Sequence, residues 1–234
     1  MKQPTNSWEV ERWNDEFARA NDIDAYYSTA SRAIRWIEGR RLEVIRRMMA
    51  ARPEDRILEV GCGGGHVLRL FPESDLTGVD VSGEMLDKAR VNLTGYRARL
   101  LKGELAELGL PDASFDKIVC TEVLEHTVDP EAILAEIARL VKPGGRVVVT
   151  FPNDRLINAL KGGVRRSGLG LLPAFRRVSW GADHYHLHVW SVAEMRELLA
   201  RHFRITDEAF APSRLMPVRC CFQCASGEAA PSAA

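Results

Sequence analysis

Between Pro53 and Phe151 the chain alternates short β-branched runs with stretches of helical period. Arg56–Val60, Leu76–Val79, Ala98–Leu101, Lys117–Thr121 and Arg146–Phe151 read as strands. Helices fit between them, most clearly at Pro130–Val141, where Ile133, Leu134, Ile137, Leu140 and Val141 recur at helical spacing. Pro143-Gly144-Gly145 is expected to stop that helix. Strand–helix alternation implies right-handed crossovers and a parallel sheet, an α/β fold. Trp8 to Met49 reads as helical with a break near Asn21–Asp24. Its aromatic residues Trp8, Trp13, Phe17, Tyr26, Tyr27 and Trp36 suggest a helical cap packed on the core. After Phe151 come a helix at Ser191–Arg201 and strands at Phe203–Ala209 and Arg219–Ala225. The expected organisation is a cap over 1–50, a core over 51–226 with a substrate lid over 155–190, and a disordered tail over 227–234.

The stretch ILEVGCGGGH carries the first chemistry. An apolar strand enters a glycine-rich turn and then a helix, and glycines let backbone approach a ligand closely. The spacing is G-x-G-x-G, not the G-x-G-x-x-G of a dinucleotide pyrophosphate site. Asp80 ends the next strand about 20 residues on, where a carboxylate accepts both ribose hydroxyls. Nucleoside recognition is the expectation.

Four ordered motifs, ILEVGCGGG, GVDVS, LKGELAELGLPDASFDKIVCTEVLEH and LVKPGGRVVVTFPN, resemble the class I S-adenosylmethionine-dependent methyltransferases. Within that class the chain is most similar to the type 11 group that includes ubiquinone-biosynthesis O-methyltransferases. The resemblance implies a doubly wound, mostly parallel, seven-stranded Rossmann-like sheet. It implies that Gly61, Gly63 and Gly65, with Cys62 in the same loop, line the methionine portion of the cofactor. Glu59 would support the loop, Asp80 bind the ribose and Val81 pack on the adenine. Glu104, where the family commonly has Asp, would meet the adenine amino group beside Leu105. Glu122 would lie beside cofactor and acceptor.

Two clusters offer a base or a metal site: Glu122-Val123-Leu124-Glu125-His126, and Asp183 to Ser191 with His184, His186 and His188. Carboxylates with neighbouring imidazoles suit an octahedral divalent metal. The E-x-x-E-H run resembles the metal-binding motif of small-RNA 3′-terminal methyltransferases, and also a motif in some ubiquinone O-methyltransferases. The resemblance implies Glu122, Glu125, His126 and His186 as ligands; without a metal, His126 or His186 is the expected general base, beside Glu122.

The remaining features narrow the acceptor only coarsely. Lys+Arg and Asp+Glu both total 32, so net charge argues for no polyanionic partner. The expected reaction is methylation of a hydroxyl on a small or lipid-like molecule. Alternatives are RNA 2′-O-methylation, disfavoured by the neutral charge, N- or C-methylation, and a non-catalytic cofactor-binding subunit. Segment 155–178 carries six Lys/Arg and no Asp/Glu. It fits a solvated lid or a peripheral membrane contact, and its glycines at 162, 163, 168 and 170 argue against one continuous amphipathic helix. The N-terminus is polar, and the five cysteines are odd in number, so a cytoplasmic protein with reduced thiols is expected. Cys220, Cys221 and Cys224 lie in a predicted strand that would send them to opposite faces, as buried thiols instead of a zinc site. Oligomeric state leaves no sequence signal.

Overall fold

The computed structural model describes residues 7–20, 31–167 and 186–226. The predicted break near Asn21–Asp24, lid residues 168–185 and the tail 227–234 lie outside the described residues. Seven strands form one sheet: β1 Arg56–Val60, β2 Asp75–Asp80, β3 Ala98–Lys102, β4 Phe115–Thr121, β5 Val141–Pro152, β6 Phe203–Ser213 and β7 Met216–Ser226. Their order is β3-β2-β1-β4-β5-β7-β6, and β7 alone runs antiparallel to its neighbours. The sheet is therefore largely parallel, as the strand–helix alternation predicts, and doubly wound with seven strands, as the family resemblance implies. Its order reverses between β1 and β4, which leaves a crevice beyond their carboxyl ends.

Alternation along the strands sorts side chains into two apolar layers. Leu58, Ile118, Val147, Val149, Cys220, Phe222 and Cys224 face one layer. Ile57, Val119, Val148 and Cys221 face the other. The period of two thus buries neighbouring cysteines on opposite faces, as predicted, and all five thiols are free. Burial pushes the Cys220, Cys221 and Cys224 thiols up to about 12, so they remain protonated near neutrality.

Six helices flank the sheet among the described residues: α1 Ser7–Ala20, α2 Arg32–Met49, α3 Gly83–Asn92, α4 Pro130–Leu140, α5 Asp154–Arg166 and α6 Val192–Ala200. Local chemistry sets their starts. Ser82, Asp129 and Asn153 each accept a backbone N–H from the first turn of α3, α4 and α5, and Ser191 with Glu194 makes a capping box on α6. None is long and apolar enough to cross a membrane.

Three local expectations are corrected. Helix α4 stops at Leu140, and Val141 already pairs with Phe115, so Pro143-Gly144-Gly145 forms a bulge inside a longer β5. Helix α5 continues through Gly162 and Gly163, where an added Cβ would meet nothing within 4 Å; the basic stretch begins as a helix. Trp36 is 56% exposed and does not pack on the core. It precedes the fully buried Ile45 by two and a half turns and so faces the opposite way.

The described residues of 1–50 include two helices with different surroundings. Helix α2 packs Val44, Ile45, Met48 and Met49 into the sheet, which makes it a layer of the core. Lys117 Nζ donates to the carbonyls of Met49 and Ala50, and Arg146 Nη1 to that of Met48, so cations from β4 and β5 cap its C-terminus. Helix α1 lies against α3, where Ser82 Oγ donates to Asp15 and Arg19 pairs with Glu84 at 3.0 Å.

Candidate functional site

Strand ends β1, β2 and β4 finish in register, Val60 opposite both Val79 and Cys120. The residues that follow them enclose a cavity of about 500 Å³. Gly61, Gly63, Asp80, Val81, Glu104, Leu105 and Glu122, all singled out by sequence, line it. Glu59, Cys62 and Gly65 do not; they stand behind the loop and shape it.

The loop is built from close approaches. Gly61 has φ +65°, and a Cβ there would stand 2.3 Å from Val123 Cγ2. Cys62 N–H donates to Val79 O at 2.9 Å, which seats its side chain under the loop. Gly78 on β2 makes the room, since a Cβ there would meet Cys62 Sγ at 2.8 Å. Asp80 then couples the loop to the next helix. Its carboxylate accepts from Gly63 N–H at 2.7 Å and from Ser82 N–H at 2.9 Å. Burial raises the Asp80 carboxyl above its ordinary value, opposed by these two donors, and Asp15 pushes it further up.

Glu59 is 2% exposed and accepts Leu68 N–H at 3.2 Å. Burial drives its carboxyl well above the usual range, with the Leu68 donor opposing. A native titration above the unfolded one means the native state binds more protons between the two, so stability falls as pH rises through that window. Glu59→Gln keeps an acceptor for Leu68 and removes the titration. The variant is expected to gain on the parent above about pH 4.3, where free Glu ionises, and to match it in more acid solution. Thermal melts across pH 4–8 read the gain as roughly 2–4 °C per kcal/mol. A constant difference at every pH refutes it.

On the neighbouring strand end, one residue before the Val123 that meets Gly61, Glu122 adopts φ +54°. Its Oε1 accepts from Thr150 Oγ1 at 3.0 Å, and Oε2 lies 3.3 Å from Arg219 Nε. His126 lines the cavity. Behind it Glu125, His126 and His186 bring ligand atoms within 4.8 Å of one another. Glu122, the fourth predicted metal ligand, is not in that cluster because Thr150 and Arg219 hold its carboxylate. Both Glu125 oxygens are buried without a hydrogen-bond partner. Burial, then the nearby Glu122, drives the Glu125 carboxyl well above its ordinary value. His186 Nδ1 meets the buried Asp154 Oδ2 at 2.7 Å, and its ring stands edge-on to His126 with centroids 4.9 Å apart. The 186–188 segment is fixed by Leu187 N–H and His188 N–H, both donating to Glu125 O. His188 itself meets Thr127 O at 2.9 Å and stacks on Trp190, a structural role. Asp183 and His184 lie outside the described residues.

Sequence reading missed three residues here. Asn14 of α1 lines the cavity, Asp154 orients His186, and Arg219 holds Glu122. Only Arg219 left a mark in the chain, as a lone cation in the run Val218-Arg219-Cys220-Cys221-Phe222.

A glycine loop tied to a strand-end carboxylate, at the switch point of a doubly wound sheet, defines a nucleoside-binding domain of Rossmann-like class. Comparison with known proteins refines this. Residues 58–149 match the family described as "Methyltransferase domain". The chain is 32% identical over 159 residues to a ubiquinone biosynthesis O-methyltransferase of Idiomarina loihiensis, covering 66% of this chain and 60% of that protein. It spans 38% to 60% of the length of the curated relatives it matches. Among solved structures it overlays a methyltransferase bound to the Haloferax volcanii Trm112 activator (TM-score 0.70, 17% identity, 94% of this chain and 99% of that one). It also overlays the N-methyltransferase NodS of Bradyrhizobium japonicum in complex with S-adenosyl-L-homocysteine (TM-score 0.67, 18% identity, 94% and 99%). Residues 58–149 thus match a methyltransferase domain, set on the Rossmann-like fold that these solved structures share.

Proposed function

We propose that the chain transfers a methyl group from S-adenosylmethionine to a hydroxyl of a small or lipid-like acceptor. The observation that carries this is Asp80, clamped by Gly63 N–H and lining the cavity in a row with Val81 and Glu104. A carboxylate there accepts ribose hydroxyls, an apolar side chain covers the base, and a second acid meets an exocyclic amine. Gly61 and Gly63 give the methionine portion a wall of bare backbone. Those curated relatives that are named ubiquinone biosynthesis O-methyltransferase favour oxygen as acceptor.

When bound, the cofactor supplies an electrophilic methyl group on a good leaving group. The protein's own task is to align the acceptor, exclude water and take its proton. His126, on the cavity wall, is the base, and the Asp154–His186 pair stands behind it. Asp154 meets His186 Nδ1 and fixes its ring edge-on to His126, which holds the base in place. His126→Ala is expected to lower kcat about a hundredfold or more while S-adenosylhomocysteine binds nearly as before. Asp154→Asn gives a smaller loss in kcat. Labelled methyl transfer to fractionated metabolites, with calorimetry, checks both. A parent chain that gives no heat with either S-adenosylmethionine or its demethylated form sinks the proposal.

A second reading is favoured by Glu125. Two buried, unpartnered oxygens beside two imidazoles fit a divalent metal. Glu125, His126 and His186 would hold it, with Asp154 orienting His186, and it would lower the pKa of an acceptor hydroxyl. Calorimetric titration with Mn²⁺, compared with Glu125→Gln, tests this reading. Undiminished turnover after exhaustive chelation excludes it.

A further inference from the structure

Behind Glu122 a chain of charges leads out of the cavity to α2, half-buried at Glu122 and Arg219 and buried at Glu38 and Arg41. Arg219 on β7 places Nη2 3.0 Å and Nε 3.1 Å from Glu38 Oε1, and the same Nε lies 3.3 Å from Glu122 Oε2. Arg41 Nε closes the far end on Glu38 Oε2 at 2.8 Å. Glu38 and Arg41 are 5% and 3% exposed. Burial alone would raise the Glu38 carboxyl, but Arg41 and Arg219 outweigh it and hold it ionised. Four elements therefore converge on one carboxylate: α2 through Glu38, β7 through Arg219, β5 through Thr150, and the end of β4 that carries Glu122.

Stability is a poor reason for this arrangement. Buried ion pairs are often no more stabilising than apolar residues of the same volume. The left-handed backbone of Glu122 adds a cost on the order of 1 kcal/mol. What the network does supply is a fixed carboxylate beside the glycine loop. Gly61 packs on Val123, the neighbour of Glu122, so the carboxylate stands at the loop's end of the cavity. We propose that Arg219, held by Glu38, is a positioning residue that fixes the Glu122 carboxylate against the cationic methionine end of the bound cofactor. This rests on the cavity being the S-adenosylmethionine site.

The test is calorimetric titration of the full chain with S-adenosylhomocysteine, which keeps the ammonium. Glu122→Gln and Arg219→Met are each expected to weaken binding about tenfold, and Glu38→Gln severalfold. Arg219→Lys recovers part of the loss, and the double variant Glu122→Gln/Arg219→Met binds no worse than its weaker parent. Arg219→Met strands Glu38, so Arg219→Lys and Glu38→Gln carry the test if that variant does not fold. Arg219 variants that lower Tm but bind like the parent overturn the inference, as do losses that multiply in the double variant. Glu122→Gln binding at parental strength also overturns it, and leaves the cofactor site standing. No heat from the parent chain removes the cofactor site and this inference together.

Discussion

Asp80→Asn is expected to weaken cofactor binding by about a hundredfold or more, the largest loss from any single polar change in the cavity. The carboxylate already holds Gly63 N–H and Ser82 N–H. Its remaining lone pairs face the cavity, where two ribose hydroxyls would be charge-assisted donors. Hydrogen bonds to a charged group contribute about 1.5–3 kcal/mol each, and 1.4 kcal/mol is tenfold in affinity. Asn retains one oxygen, so the loop keeps one of its two ties while the ribose loses its ionic acceptor. Since burial raises this carboxyl, parental affinity is expected to fall on acidification before an exposed Asp would protonate. The variant should show no such dependence. Calorimetry at several pH values checks both, with far-UV circular dichroism confirming the fold. Parental affinity in the variant would dismiss Asp80 as the ribose ligand.

Gly61→Ala has the largest expected effect on the scaffold. A left-handed backbone costs an L-residue roughly 1–2 kcal/mol. The new Cβ would also stand 2.3 Å from Val123 Cγ2, and overpacking of that kind typically costs about 1–3 kcal/mol. The variant should lose about 2–5 kcal/mol of stability together with its cofactor affinity. Val123→Ala opens the collision but not the backbone. The double variant should therefore be more stable than the sum of the two single losses. Urea denaturation of all four proteins decides it, and strict additivity refutes the steric account.

Strands and the glycine turn were readable because their signals are local. A period of two and a strand-to-glycine junction lie within ten residues of sequence. Helix ends were less readable. Val141 belongs to the helical repeat of α4 by spacing, yet its pairing with Phe115 decides its state. Trp36 misled because aromatic character says nothing about which helical face a residue occupies. Gly162 and Gly163 misled because a helix with nothing pressing on its outer face tolerates their small cost. Contacts between distant positions left no trace. Asp154 and His186 are 32 positions apart, and Glu38 and Arg219 are 181 apart. The E-x-x-E-H spacing gathered Glu122 with Glu125 and His126, but the structure turns Glu122 toward a cation on another strand.

The position of β7 has a consequence for synthesis. The strand made last of the seven sits inside the sheet, between β5 and β6, and pairs with both. On a translating ribosome β6 has no neighbour, and β5 has an open flank, until residues 216–226 emerge. A chain of which only the residues up to about 215 have emerged thus leaves one flank of β5 and both flanks of β6 unpaired, each a template for association with other chains. It also lacks Arg219, so the carboxylates of Glu38 and Glu122 wait without their shared counterion until the final hairpin folds back.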